Sequence, residues 1–148
     1  LSNIILLLRL QGRPVQGFED FDLDDVPAPP NAAPPALQAT DLQRTVPHEL
    51  WIDTIPYPVL RDNIIRNQDE INVDALCDDF VGGMYDGLSE IGSRGLILWG
   101  EPWSGDGWEI SEGFARKWSF LLRGCDDLIK STNSWRETRD ENRLVVEI

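Results

Sequence analysis

The stretch Val73-Asp74-Ala75-Leu76-Cys77-Asp78-Asp79-Phe80-Val81-Gly82-Gly83-Met84 carries the sharpest periodicity in the chain. Val73, Leu76, Cys77, Phe80, Val81 and Met84 recur at intervals of three and four. Such spacing lines one side of an α-helix with apolar groups and leaves Asp74, Asp78 and Asp79 opposite it or near its edge. Asn72 or Asp74 can cap the start, Gly82-Gly83 weakens the later turns, and Gly87 can end them. A helix of about four turns anchors a helical core, so the expected class is mainly α. The expected domain has about five or six short-to-medium helices, a Trp-rich loop and an extended N-terminal arm.

Upstream, Trp51, Ile52 and Ile55 lie between Pro47 and Pro58, a bracket that forbids one uninterrupted helix. Pro58 suits the first position of a short helix through Asn67, on which Leu60 and Ile64 stack and Ile65 broadens the stripe. Downstream, Gly92 and Gly95 frame Leu96-Ile97-Leu98-Trp99, a run too short for its period to be read. A buried helical turn is expected there, because no partner strand stands out. Gly100 to Trp108 mixes glycine, proline and tryptophan and reads as a shaped loop. Ser111 is a plausible N-cap for the last long helix, with Phe114, Trp118, Leu121, Leu122 and Cys125 on its buried face. A turn and a final helical piece around Trp135 follow, and Leu144-Val145-Val146 reads as a short strand or a packed tail. The candidate core is therefore Trp51, Leu60, Ile64, Leu76, Cys77, Phe80, Phe114, Trp118, Leu121, Leu122, Cys125 and Trp135.

The N-terminal part has a different composition. Residues 1–12 hold the apolar run Ile4 to Leu8, expected to be a helix packed on the core or on a second chain. The run falls far short of the roughly 20 residues that span a bilayer, and it lacks the basic leader and cleavage pattern of a signal peptide. Residues 13–40 form an acidic, Pro-rich linker in which Phe18 and Phe21 either pin the arm to the domain or dock on a partner. The compact helical domain is expected over 41–148.

With 26 acidic residues against 13 Lys plus Arg, the formal net charge is -13, and the basic residues are scattered. A phosphate backbone would be repelled, so neither direct nucleic-acid binding nor a membrane partner is expected. Cys77 and Cys125 fall on apolar helical registers and read as thiols or as one disulfide between helices; His48 stands without a second metal-ligating group. Neither metal nor cofactor is expected. No nucleophile elbow, phosphate loop or dinucleotide fingerprint occurs. Asp78-Asp79 and Asp126-Asp127 are adjacent carboxylates, but neighbours on a helix diverge by about 100°, a poor geometry for a shared proton.

Ordered motifs carry a family likeness: His48-Glu49-Leu50-Trp51-Ile52-Asp53, Ile55-Pro56-Tyr57-Pro58, Leu60-Arg61-Asp62-Asn63, Leu76-Cys77, Leu96 to Trp103, Gly107-Trp108-Glu109, Lys117-Trp118, Leu121 to Cys125 and Ser131 to Arg136. Over roughly Asp41 to Glu141 the chain resembles a fungal domain family of unknown function found C-terminal to the basic leucine zipper in fungal bZIP transcription factors. The resemblance implies a nuclear protein tied to transcriptional regulation and supplies no catalytic or ligand-binding residue. Residues 1–40 show neither a basic region nor leucine heptads, so DNA binding by this chain is not implied. The leading expectation is a regulatory or protein-interaction domain without catalysis, acting on a protein partner or by self-association. Trp99, Trp103 and Trp108, with Phe18 and Phe21, are the candidate interaction residues. A small-molecule-sensing domain is the alternative, and a hydrolase built from dispersed carboxylates a remote one.

Overall fold

The computed structural model describes residues 34–85 and 95–146, and of residues 81–85 the backbone alone. The expected N-terminal apolar helix, most of the linker, Phe18, Phe21 and Gly87 lie outside the described residues.

The periodic stretch is helical from Val73 to Tyr85. Asn72 caps it: its carboxamide oxygen accepts from the Ala75 amide at 3.0 Å, satisfying a donor that has no partner within the first turn. Leu76 and Phe80 are buried while Asp74 and Asp78 face water, as the spacing requires. The Phe80 ring meets Phe114 at 4.8 Å and Trp51 at 5.5 Å between centroids. Gly82-Gly83 does not stop the helix, whose backbone continues through both.

In chain order the described elements begin with a 3-10 turn at Pro35–Leu37 and helix α1, Asp41–Thr45. Leu37 is buried, so packing begins before Asp41, within the stretch read as linker. A second 3-10 turn, Leu50–Thr54, buries Ile52. Helix α2, Pro58–Asn67, starts at its proline and buries Leu60, Arg61, Ile64 and Ile65. Helix α3 is Val73–Tyr85.

Strand β1, Leu96–Leu98, pairs antiparallel with β2, Trp108–Ile110, in the register Leu96 to Ile110, Ile97 to Glu109 and Leu98 to Trp108. This corrects the expected helical turn. The partner strand lies at the far end of the glycine-rich loop, and three residues per strand are too few for a period of two to show in sequence.

The expected last long helix is in fact two helical pieces. Helix α4, Glu112–Lys117, begins at Ser111, whose hydroxyl accepts from the Phe114 amide at 3.2 Å. It gives way at Trp118 to a 3-10 turn, Ser119–Leu122. Gly124 then reverses the chain at φ 76°, a left-handed conformation that glycine adopts without steric cost. Helix α5, Asp126–Thr138, follows and lies across β2. Phe114, Trp118, Leu121, Leu122 and Cys125 are all buried, because the broken path keeps them turned to the same core.

The core joins residues of α2, α3, the ribbon, α4 and α5, and the fold is mainly α with one small sheet. Among the described residues no helix is long and apolar enough to cross a membrane. Both cysteines are free, and burial pushes the Cys125 thiol up to about 12.

Candidate functional site

The loop between β1 and β2 is a rigid structure built from both ends. The Trp99 and Gly100 amides both donate to the Gly107 carbonyl, at 2.8 and 3.2 Å. A Cβ on Gly107 would lie 2.8 Å from the Glu101 carbonyl oxygen, so this close crossing of two backbones demands glycine. From outside, the Tyr57 hydroxyl donates to the Gly105 carbonyl, and burial raises the pKa of that phenol.

Helix α5 secures β2 by an unusual device. The outward-facing Ile110 amide donates to Thr132 Oγ1 at 3.0 Å, and Ser131 Oγ donates to the Trp108 carbonyl at 2.6 Å. Two helix hydroxyls thus stand where a third strand would, which satisfies the backbone and covers the edge.

Around this ribbon the tryptophans divide. Trp108 is half-buried against the core and its indole donates to the Pro102 carbonyl at 3.1 Å. The Trp135 indole donates to the Asp106 carbonyl at 2.9 Å, tying α5 to the loop. Trp99 stacks on Trp135 at 5.9 Å and 25°, donates to Glu109 Oε1 at 3.1 Å, and has the Arg139 guanidinium 5.4 Å from its ring centroid. Trp135 and Arg139 are one helical turn apart, so both reach Trp99 from α5, and 48% of Trp99 stays open to water. Trp51 and Trp118 donate to Glu49 and Asp79. The partly exposed Trp103 differs, since among the described residues its indole N–H meets no acceptor.

Glu109, 3% exposed, holds this arrangement together. Both its oxygens receive Arg139, at 2.7 and 2.8 Å, and Arg139 also reaches Glu141 at 3.1 Å. These hydrogen bonds raise the Arg139 pKa and lower that of Glu141. The sequence marked Glu109 only as part of the Gly107-Trp108-Glu109 motif and gave it no role, since its burial between Trp108 and Ile110 depends on long-range packing.

A second polar network surrounds the first turns of α2. Arg61 is fully buried, and its guanidinium donates to Gln43 Oε1 at 2.8 Å, to the Ala36 and Gln38 carbonyls at 2.7 Å each, and to the Ile55 carbonyl. Desolvation lowers the Arg61 pKa, opposed by Asp53 and Asp62. The sequence did hold a signal: Arg61, Ile64 and Ile65 share the spacing of one helix face. Gln43 Nε2 donates to Asp53 Oδ1 at 2.8 Å, which also contacts His48 Nε2 at 2.6 Å, while His48 Nδ1 lies 2.7 Å from the Val46 carbonyl. Both ring nitrogens therefore face acceptors, and the imidazolium form alone can donate to both.

The remaining core candidates occupy graded positions. Leu60, Ile64, Leu76, Phe80, Phe114, Trp118, Leu121, Leu122 and Cys125 are buried, whereas Trp51, Cys77 and Trp135 keep partial exposure. A cleft of about 550 Å³ opens beside the ribbon, where Pro56, Tyr57 and Pro58 face the α5 residues Asp127, Lys130, Ser131 and Ser134. Among the described residues no group of three or more His, Cys, Asp or Glu is arranged to hold a metal ion.

Residues 18–129 match the family described as "Domain of unknown function (DUF3425)". Neither the curated proteins nor the solved structures contain a match to the chain. Because the matched stretch takes in α1 to α4, the ribbon and the first residues of α5, the chain belongs to the DUF3425 family.

Proposed function

We propose that this chain is a regulatory, protein-interaction domain of a fungal bZIP-type transcription factor, that it works in the nucleus without catalysis of its own, and that the β1–β2 loop is its recognition element. The carrying observation is the half-open Trp99, braced by Trp135, Arg139 and Glu109, with the partly exposed Trp103, whose indole meets no acceptor among the described residues, in the same loop. An aromatic group fixed before binding loses little conformational freedom when a partner covers it, which is the property of interface anchors. Trp108 belongs to the scaffold of the loop. The family resemblance supports the transcriptional and nuclear part of the reading, and the charge of -13 supports a protein partner over nucleic acid.

The test is a reporter assay in which residues 1–148 are tethered upstream of a promoter through an unrelated DNA-binding domain. Transcription should change several-fold, and Trp99→Ala combined with Trp103→Ala should abolish the change while circular dichroism keeps its helical signal. A reporter indifferent to the tethered chain, or to the double substitution, refutes the proposal.

The cleft of about 550 Å³ favours a second reading, a small-molecule sensor. Lys130, Asp127 and Ser134 line it, and their side chains make no hydrogen bond or ion pair among the described residues. A thermal-shift screen with amino acids and other small zwitterions tests it; a dose-dependent rise in Tm that Lys130→Met removes would favour the sensor.

A further inference from the structure

From the half-exposed Trp99 and the unpaired carboxylates of its loop, we infer that the ribbon docks an arginine-bearing basic segment of a partner protein. This deepens the interaction reading above and rests on it. The occupant follows from charge and ring chemistry together. Glu101 and Asp106 lie in the loop that joins Trp99 to Trp108, both are exposed, and neither carboxylate has an ion-pair partner among the described residues. The Asp106 backbone is fixed beside the aromatic stack by its bond from Trp135, and Glu101 by the close approach of Gly107.

Arg139 is already taken by Glu109 and Glu141, and Arg136 reaches Glu141 at 3.7 Å, so among the described residues four acids stand against two bases and the face keeps the negative charge of Glu101 and Asp106. An indole ring attracts a cation over its face. A guanidinium suits it better than an ammonium, because it stacks flat and still presents donors in its plane to flanking carboxylates. The same charges exclude the chain's own arm as occupant: Glu19, Asp20, Asp22, Asp24 and Asp25 surround Phe18 and Phe21 and would be repelled.

The test uses the full 148-residue chain and three fluorescein-labelled peptides of equal length, alternating leucine with arginine, with lysine or with glutamate. Fluorescence anisotropy should show the arginine peptide binding several-fold tighter than the lysine peptide and weakening as salt is raised, with the glutamate peptide silent. Glu101→Gln with Asp106→Asn breaks no side-chain hydrogen bond or ion pair among the described residues and should weaken the arginine peptide by about fivefold or more. Trp99→Phe, which keeps an aromatic on Trp135, should weaken it about threefold. Unchanged affinity in both variants, or no binding by the arginine peptide, overturns the inference. Preferential, Trp99-dependent binding of the glutamate peptide would overturn the basic occupant and leave the interaction reading standing. Concentration-dependent self-association lost in Trp99→Phe would assign the face to a second copy and likewise overturn it.

Discussion

Arg61 shows how much one side chain can organise when its charge is buried. Four hydrogen bonds from its guanidinium reach two segments, 36–38 and 43–55, that have no regular pairing with each other, so the guanidinium substitutes for a sheet or a helix contact. Lysine cannot reach that many acceptors from one nitrogen. Arg61→Lys is expected to lower unfolding free energy by about 2 kcal/mol and Arg61→Ala by about 3 kcal/mol or more, measured by urea denaturation. Equal stability of all three proteins would contradict the assigned role.

His48 makes a pH-dependent contribution in the same network. Burial pushes its pKa down, but the hydrogen bond to Val46, the hydrogen bond to Asp53 and the attraction of Asp53 outweigh this, and the net shift is upward from 6.5. A folded-state pKa above the unfolded value stabilises the fold fully at low pH and loses that effect as pH rises through the folded value. His48→Ala should therefore cost about 1 kcal/mol near pH 5.5 and less near about pH 8.5, read from denaturation curves at both values. A larger cost at the higher pH would reverse the sign and reject the donor assignment.

At the scale of elements, the ribbon depends on α5. Two strands of three residues each cannot hold together in water by their own hydrogen bonds. Ser131 and Thr132 supply the missing edge contacts, which explains why two hydroxyl side chains are buried mid-helix. Thr132→Val preserves shape and removes the acceptor for the Ile110 amide. Its expected cost is about 1–3 kcal/mol, with accelerated exchange of the Ile110 amide proton as the specific readout. If Ile110 stays as protected as before, the hydroxyl is not its acceptor. The tail behaves similarly: Asn133 exchanges two hydrogen bonds with the Leu144 backbone, at 2.6 and 3.3 Å, and so fixes an extended tail without any strand partner.

At the scale of the whole molecule, charge governs what can approach. A formal charge of -13 over a chain of 148 residues gives a repulsive field toward phosphates. Electrophoretic mobility of a labelled DNA duplex should remain unshifted by the chain at low salt, where attraction of a basic surface would be greatest. A retarded band that disappears on adding salt would show a segregated basic face and remove the argument for a basic protein partner. Among the described residues the exposed large apolar and aromatic side chains are Trp99, Phe120, Leu50, Val59 and Val145. Of these, Trp99 alone carries a stacked ring, a carboxylate hydrogen bond and a guanidinium together.

The sequence by itself determined the helical class, the start of α2 at Pro58 and the Ser111 cap, and it narrowed the cap of α3 to Asn72 or Asp74, of which the structure uses Asn72, because these are local choices written within a few residues. Apolar spacing likewise marked Leu60, Leu76, Phe80 and Leu121 for the interior. Only the tertiary structure decided the ribbon, the break after Lys117, the partners of Arg61, the burial of Glu109, and the sorting of the tryptophans. Each of those depends on a partner distant in the chain: β2 for β1, the 36–38 carbonyls for Arg61, Arg139 for Glu109 and Trp135 for Trp99. Periodicity reports which face of an element turns inward, but it carries no record of what that face will meet.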